Sequence, residues 1–229
     1  MKAFTRAEFE QAERVCLQRG KWGNADVWRI LDGGGWVVKD FRPRAWWFRV
    51  GAGRLLAWRE YRTIKALAGG VKAAEYLFML DRYAVVERFF EGIPLSRAVS
   101  GQVPVVFFER LEAEVKAMHR WGIVHLDLRN GGNILLDSEN EPVLIDFQSA
   151  LRTGWLPRQW RRCLEWVDLS GVYKHWARLA PETMGEERER RLVWQLKNRK
   201  WWRIRGYRLS PRQRDLKEYE KELLARYGE

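Results

Sequence analysis

Cysteine, histidine and long apolar runs are all scarce in this sequence. Its 229 residues include two cysteines and three histidines. Two cysteines, Cys16 and Cys163, exclude a disulfide-stapled secreted domain and indicate a reducing compartment. No apolar run approaches the ~18 residues that a membrane span needs. Acids among the first ten residues interrupt the apolar stretch of a signal peptide. We therefore expect a cytoplasmic protein, or one that rests on the inner face of a membrane.

Acidic residues are also in short supply relative to basic ones. Lys and Arg total 42 against 30 Asp and Glu, a formal net charge of +12. Such a surplus predicts an anionic partner: nucleic acid, nucleotide, phosphorylated sugar or a negative membrane surface. Charge alone does not choose among these. Hydrophobic residues make up 46% of the chain, which is enough to bury a core, and the 14 tryptophans are an unusually large number.

The first part of the chain has the pattern of short strands and one helix. Two β-prone runs at 27–31 and 36–41 flank a glycine-rich turn and predict an antiparallel hairpin. A basic, aromatic loop is predicted from Arg42 to Gly53. Apolar residues three or four positions apart then predict a helix over 55–67, and Glu60 interrupts its apolar face.

The second part is mainly helical. An amphipathic pattern predicts a helix over 107–121, followed by two short buried strands, and the chain beyond Phe147 is helical, basic and rich in tryptophan. The order of elements favours an α+β fold with two lobes. We expect a small β-rich N-lobe over residues 1–90 and a mainly helical C-lobe over 91–229.

The strongest chemical pattern begins at His125. The run His-Leu-Asp-Leu-Arg is followed by Asn133 at the start of one strand, and the next strand ends in Asp146. Carboxylate and amide oxygens are the ligands that Mg²⁺ prefers, with phosphates and water completing its shell. A further carboxylate on the same loop, Asp127, could accept the proton of an attacking hydroxyl.

This pattern resembles the catalytic loop and metal-binding motif of the protein-kinase-like superfamily. The resemblance implies a kinase that uses ATP and Mg²⁺. By this resemblance Asp127 is the catalytic base, Asn133 and Asp146 are the metal ligands, and Arg129 contacts the γ-phosphate.

The resemblance extends upstream of the catalytic loop. Lys39, on a Val-Val-Lys strand, is similar to the lysine that grips the ATP phosphates. Glu60 is similar to its ion-pair partner, and a buried carboxylate needs such a partner. Glu87 begins a stretch similar to the hinge that binds adenine. Asp168 is similar to the aspartate that braces the catalytic loop.

Several departures from the common kinase pattern stand out. Asn133 lies six residues after Asp127 where five is usual, which leaves Asn130 as the alternative metal ligand. Gln148 replaces the glycine that usually follows Asp-Phe. A glycine-rich loop of the usual kind does not precede Lys39, and the segment after Asp146 is short. These features resemble the compact branches: the RIO-type kinases and the lipopolysaccharide core (Kdo and heptose) kinases.

The acceptor is open between several classes. Aromatic residues alternate with arginines over 41–49, where they either pack internally or contact an anionic membrane surface. The same mixture recurs over 197–208, where it predicts a second membrane-contacting patch, stacking on nucleic acid bases or a solvated basic helix. We favour a glycolipid acceptor such as a lipopolysaccharide core sugar, met at the cytosolic face of the inner membrane. The alternatives are a RIO-like serine/threonine protein kinase and a non-catalytic pseudokinase or nucleic-acid-binding module. A pure nucleic-acid binder would not need the ordered catalytic set, so nucleic acid is not the expected partner.

Overall fold

A computed structural model describes residues 3–21, 23–31, 35–67, 77–198 and 214–227 of the chain. The chain divides into two compact units. The first comprises Met1–Gly92, Ala117–His125 and Val143–Trp155, and the second comprises Ile93–Lys116, Leu126–Pro142 and Leu156–Glu229. The first is rich in sheet and the second is rich in helix, as expected of an α+β fold. The lobe boundary near residue 90 stays a prediction.

A five-stranded antiparallel sheet forms the centre of the first unit. Its strands follow the spatial order β1-β2-β3-β5-β4. Their bounds are β1 Arg14–Gln18, β2 Asp26–Ile30, β3 Trp36–Asp40, β4 Leu77–Asp81 and β5 Ala84–Arg88. The predicted hairpin is confirmed as β2 and β3, in which Trp28 pairs with Val38. The glycine-rich turn at 32–34 lies outside the described residues.

The alternation of side chains along β3 gives the sheet two different faces. Val38 is fully buried in one apolar cluster with Phe9 of helix α1 (Arg6–Gln11). Lys39 faces the other way, towards the face on which Phe41 packs against Ala57. One strand therefore supplies both an apolar core residue and a charged residue that is held inside the unit.

The segment from Arg42 to Gly53, predicted as a loop, is helical from Trp46 onward. Helix α2 (Trp46–Phe48), a π-helical segment (Arg49–Gly53) and helix α3 (Arg54–Ala66) follow one another without a break. The loop prediction is therefore wrong for 46–53. Pro43 lies ahead of the helix, where it interrupts no helical hydrogen bond. The predicted helix over 55–67 is confirmed as α3.

Short elements complete the first unit. Strand β7 (Ile123–Val124) pairs antiparallel with β10 (Leu151–Arg152). Gly122 precedes β7 with a φ of +70°, a left-handed conformation that suits glycine at the end of a helix. Its amide donates to the carbonyl of His119 at 2.9 Å, so Gly122 ends the preceding helix.

Four long helices lie wholly or mostly in the described part of the second unit. They are α4 Val105–Arg120, α5 Arg158–Leu179, α6 Glu186–Lys197 and α7 Arg214–Tyr227. The predicted helix over 107–121 is confirmed as α4. Strand β6 (Ile93–Pro94) pairs with β8 (Ile134–Leu136), and β9 spans Pro142–Leu144.

Aromatic stacking and one buried carboxylate join the helices of this unit. The ring of Phe108 stacks on Trp176 with centroids 5.3 Å apart. Glu112 accepts hydrogen bonds from the Tyr173 hydroxyl and from Arg188, both at 2.8 Å. Helices α4, α5 and α6 are thus tied through a single side chain, and the buried carboxylate is fully hydrogen-bonded.

Helix α5 approaches the backbone of the segment at 128–129 so closely that only glycine fits at one position. A Cβ at Gly171 would lie 2.6 Å from the carbonyl carbon of Leu128 and 2.8 Å from the amide nitrogen of Arg129. Both neighbours are backbone atoms, so they cannot yield as a flexible side chain would.

We expect Gly171→Ala to lower the free energy of unfolding by about 1–3 kcal/mol, because overpacking against backbone forces the helix and the segment apart. Urea denaturation measures the effect. Gly51→Ala is the matched control: it is also helical and a Cβ there meets nothing within 4 Å. The control should stabilise the protein by about 0.5–1 kcal/mol. Equal stability of the two variants would contradict this account.

Candidate active site

The first unit holds one group of the predicted site residues around Lys39. The Lys39 ammonium lies 2.5 Å from Oε1 of Glu60, 3.2 Å from Oδ1 of Asp146 and 3.3 Å from Oε1 of Glu87. Only 10% of the Lys39 side chain is exposed and none of the Glu60 side chain. The pairing of Lys39 with Glu60 was predicted from the sequence. The approach of Glu87 was not.

The secondary structure explains why these side chains meet. Lys39 of β3 pairs with Val85 of β5, and Glu87 stands two residues further along β5. Residues two apart on a strand share a face, so Glu87 and Lys39 project from the same side of the sheet. Helix α3 packs against that side and supplies Glu60. The structure places the Glu87 carboxylate at Lys39. That adenine bonds the hinge stretch that Glu87 begins stays a prediction.

Charge is unevenly balanced in this group, because one ammonium faces three carboxylates. Burial would lower the pKa of Lys39, but Glu60, Glu87 and Asp146 together raise it well above its ordinary value. Burial raises the pKa of Glu60, and Lys39 only partly offsets that rise. Lys39 lowers the pKa of Asp146, whose carboxylate therefore stays ionised. Oε2 of Glu60 is buried and accepts no hydrogen bond from the described residues.

Asp146 is presented by an unusual backbone conformation. Its φ is +64°, in the left-handed region that non-glycine residues seldom adopt. On one side, Nε2 of His125 lies 3.0 Å from the carbonyl oxygen of Ile145, and the His125 ring packs 4.8 Å from that of Phe147. On the other side, Arg59 donates to the carbonyl of Gln148. Contacts on both sides hold the turn that carries the carboxylate.

The second unit holds the other group around Asp127. Nδ2 of Asn133 donates to Oδ2 of Asp127 at 2.8 Å and to its backbone carbonyl at 3.1 Å. The extra residue of the loop is taken up in a short 3₁₀ turn, Gly131–Asn133, for which Asn130 is the N-cap. Oδ1 of Asn130 accepts from the Gly132 amide at 3.1 Å. The amide oxygen of Asn130 is therefore engaged within the turn.

Helix α5 holds the segment that carries Asp127. Asp168, fully buried, accepts a 2.7 Å hydrogen bond from the amide of Leu126, whose φ is +67°. Nη1 of Arg129 donates to Oγ of Ser170 at 2.9 Å. His175 contacts the carbonyl oxygen of Leu128 through Nε2 at 3.1 Å.

The sequence prediction identified Asp168 but not Ser170 or His175 as part of this support. A usable signal existed, because Asp168, Gly171 and His175 follow one another at spacings of three and four and so share a helical face. A glycine flanked on that face by two polar residues indicates close approach to a polar backbone rather than to an apolar core.

Each unit offers an oxygen atom that is chemically suited to a magnesium ion. In the first unit, Asp146 offers an ionised carboxylate with 42% of its side chain exposed. In the second unit, Oδ1 of Asn133 is an amide oxygen that accepts a 3.3 Å hydrogen bond from Nδ2 of Asn130. These are the hard oxygen ligands that Mg²⁺ selects. The group around Lys39 also has an excess of negative charge, which favours an added cation. Among the described residues, no cluster of three or more His, Cys, Asp or Glu side chains is placed to hold a metal alone.

Comparison with known proteins defines the fold. No family model matches this sequence, and no curated protein matches it. Among solved structures, the crystal structure of the Rio2 kinase from Chaetomium thermophilum matches with a TM-score of 0.57 and 16% identity, over 86% of this chain and 76% of that one. A complex of the same organism's Rio2 kinase with ADP/Mg²⁺ and phosphoaspartate matches with a TM-score of 0.53 and 17% identity, over 96% and 74%.

The fold is therefore that of the protein-kinase-like proteins, as the sequence predicted. Identities of 16% and 17% establish the fold alone. The resemblance to lipopolysaccharide core kinases stays a prediction, as do the roles assigned to Lys39, Asp127, Arg129, Asn133 and Asp146.

We expect His175 to make stability fall in mild acid. Burial, then the charges of Lys174 and Arg178, lower its pKa to about 3 from an ordinary 6.5. Between these values the unfolded chain binds a proton that the folded protein does not. The free energy of unfolding should therefore decrease as pH falls below 6.5, by up to about 1.4 kcal/mol per pH unit.

His175→Gln provides the comparison, because its amide can still donate to the Leu128 carbonyl but cannot take up a proton. Urea denaturation at pH 7, 6 and 5 should show a shallower loss of stability in the variant than in the unsubstituted protein. Parallel pH dependences would contradict the assignment of this loss to His175.

Proposed function

We propose that this protein is an ATP- and Mg²⁺-dependent phosphotransferase that acts on a hydroxyl acceptor. The observation that carries the proposal is the buried ion pair between Lys39 and Glu60, with Asp146 on the same ammonium. Burying an ammonium with three carboxylates carries a large desolvation penalty. Well-packed apolar residues in the same space would often give a more stable protein. Such costs are typical of sites where charge performs a function.

Lys39 would bind the α- and β-phosphates of ATP. Its raised pKa keeps the ammonium charged, and Glu60 fixes its direction. Asp146 and Asn133 would hold Mg²⁺, which when bound neutralises charge on the phosphates. The departure of Gln148 from the usual glycine affects neither donor atom.

Asp127 would receive the acceptor's proton. The acceptor oxygen bonds to the γ-phosphorus, the bond to the ADP oxygen breaks, and the hydroxyl proton passes to the carboxylate. The hydrogen bond from Asn133 orients Asp127, and a rigid, oriented carboxylate is what positioning catalysis needs. Arg129 would offer a cation to the transferred phosphoryl group.

For the acceptor, we propose a serine or threonine hydroxyl of a protein, as in a RIO-like kinase. Similarity to two Rio2 kinase structures supports this choice over the others. A glycolipid hydroxyl is the second candidate. Its support is the exposed Trp46, Trp47 and Trp58 among arginines, a composition suited to a lipid surface.

We expect Asp127→Asn to reduce phosphotransfer from γ-labelled ATP by about 10²-fold or more, because the amide cannot accept the proton. Label transfer to protein substrates, in the presence of Mg²⁺, measures the loss. Glu139→Gln is the matched control: it makes the same chemical change on an exposed turn and should keep full activity. Equal activity of all three proteins would refute the role of Asp127.

One assay distinguishes the two acceptor classes, protein and glycolipid. We expect Asp127-dependent label on a generic protein substrate or on the chain itself, and none on extracted glycolipid. Label on glycolipid alone would favour the second candidate. ATP binding without transfer to any acceptor would instead indicate a pseudokinase, and salt-sensitive binding of nucleic acid under the same conditions would indicate a binding module.

A further inference from the structure

A continuous helical segment of the first unit exposes an unusual set of large apolar side chains. They lie on α2, the π-helical segment and the start of α3. Their exposed fractions are Trp46 71%, Trp47 67%, Val50 50%, Leu55 60% and Trp58 49%. We call these five residues the Trp-rich surface. Exposed apolar groups concentrated in this way mark an interaction site, whereas apolar residues scattered singly over a surface do not.

The inward side of the same segment packs inside the first unit. Ala57, Glu60, Thr63 and Ile64 are buried, and Phe48 packs with the cluster around Phe41. The aromatic residues of this stretch therefore divide into two sets. The phenylalanines pack internally, and the tryptophans point to solvent. The alternative of internal packing, left open for 41–49, thus holds for the phenylalanines and not for the tryptophans.

The helical segment that carries the Trp-rich surface is rich in basic residues. Between residues 41 and 66 the chain has seven basic residues and a single acid, Glu60. That acid is fully buried against Lys39, so it contributes no negative charge to the surface. Arg54 and Arg62 are exposed beside the apolar residues, and the Arg62 guanidinium lies 5.0 Å from the ring of exposed Trp58.

A recess in the same unit adds further positive charge. It has a volume of about 400 Å³, and four arginines and two carboxylates line it, with Arg42 and Arg49 coming from the helical segment and its approach. Arg49 and Arg14 form no ion pair with any carboxylate in the described part of the chain. Arg49 donates to the Arg42 carbonyl, and Arg14 to the Phe9 carbonyl. Two guanidinium charges here are thus not neutralised by acids.

We propose that the Trp-rich surface docks this protein onto an anionic phospholipid bilayer. The indoles would enter the headgroup region, where their amphipathic rings are most stable, and the arginines would contact lipid phosphates. The segment would then lie in the plane of the interface. None of the described helices has the length and apolar character to cross a membrane. The proposal holds whichever acceptor the site uses.

The aliphatic residues of the Trp-rich surface favour lipid over nucleic acid or protein as the partner. Val50 and Leu55 gain nothing from nucleic acid, which offers base stacking to tryptophan and phosphates to arginine. They do gain from acyl chains. A protein partner would have to match the exposed Arg54, Arg62 and Lys65 with acids, whereas an anionic bilayer supplies negative charge uniformly.

Vesicle flotation with the full chain tests the proposal. The vesicles are phosphatidylcholine alone, or phosphatidylcholine with 40 mol% phosphatidylglycerol, at low and high salt. We expect binding to the anionic vesicles and weaker binding at high salt. Trp46→Ala/Trp47→Ala should lower the partition coefficient by roughly tenfold or more, since binding scales with the apolar area inserted. Arg54→Glu/Arg62→Glu should lower it too, and should also weaken its salt dependence.

Trp121→Ala/Trp155→Ala is the matched control. Both residues belong to the first unit and are 58% and 75% exposed, but neither lies on the segment. This control variant should bind the anionic vesicles as the unsubstituted protein does. Circular dichroism verifies that each variant is folded.

Three outcomes would overturn the proposal: no binding to anionic vesicles, equal loss in the control, or binding that neither double variant changes. Loss of a dimer in light scattering, or of RNA binding, caused by Trp46→Ala/Trp47→Ala without any lipid binding would also overturn it. These two results would assign the surface to a second copy or to nucleic acid.

Discussion

The buried ammonium of Lys39 is the constraint on which the first unit depends. A charge with 10% of its side chain exposed must be paired, and the chain brings three carboxylates to it from three different elements. Leaving such a charge without its partners costs several kcal/mol. The placement of α3 on the sheet, the orientation of β5 and the left-handed turn at Asp146 are therefore linked through one side chain.

In the second unit, helix α5 holds the polar segment at 126–129 in a backbone conformation that is unfavourable by itself. The positive φ of Leu126 is a local strain of order 1–3 kcal/mol. Buried hydrogen bonds to Asp168 and His175 compensate for it, and the absence of a side chain at Gly171 lets the helix approach closely enough for these bonds to form. Both left-handed residues beside the proposed chemistry, Leu126 and Asp146, are thus held by contacts on neighbouring elements.

Helix α3 links the interior of the first unit to its surface. Its buried side carries Glu60, and its exposed side carries Leu55, Trp58 and Arg62. The surplus of tryptophan and arginine that the composition shows is thus found partly on a helix that also completes the Lys39 ion pair. A ligand bound to the Trp-rich surface would therefore contact α3, the helix that also carries Glu60 of the candidate site.

The sequence by itself determined those features that depend on near neighbours in the chain. Local β-prone runs and a glycine-rich turn were enough to predict the β2–β3 hairpin, and periodicity was enough to predict α3 with Glu60 on its buried side and α4. Tertiary structure alone decided that Glu87 faces Lys39, that His175 supports the segment at Leu128, and that the helix begins at Trp46. The reason is physical: spacing along the chain fixes which side chains share a face, but the partner of that face comes from an element distant in sequence, and only packing brings the two together.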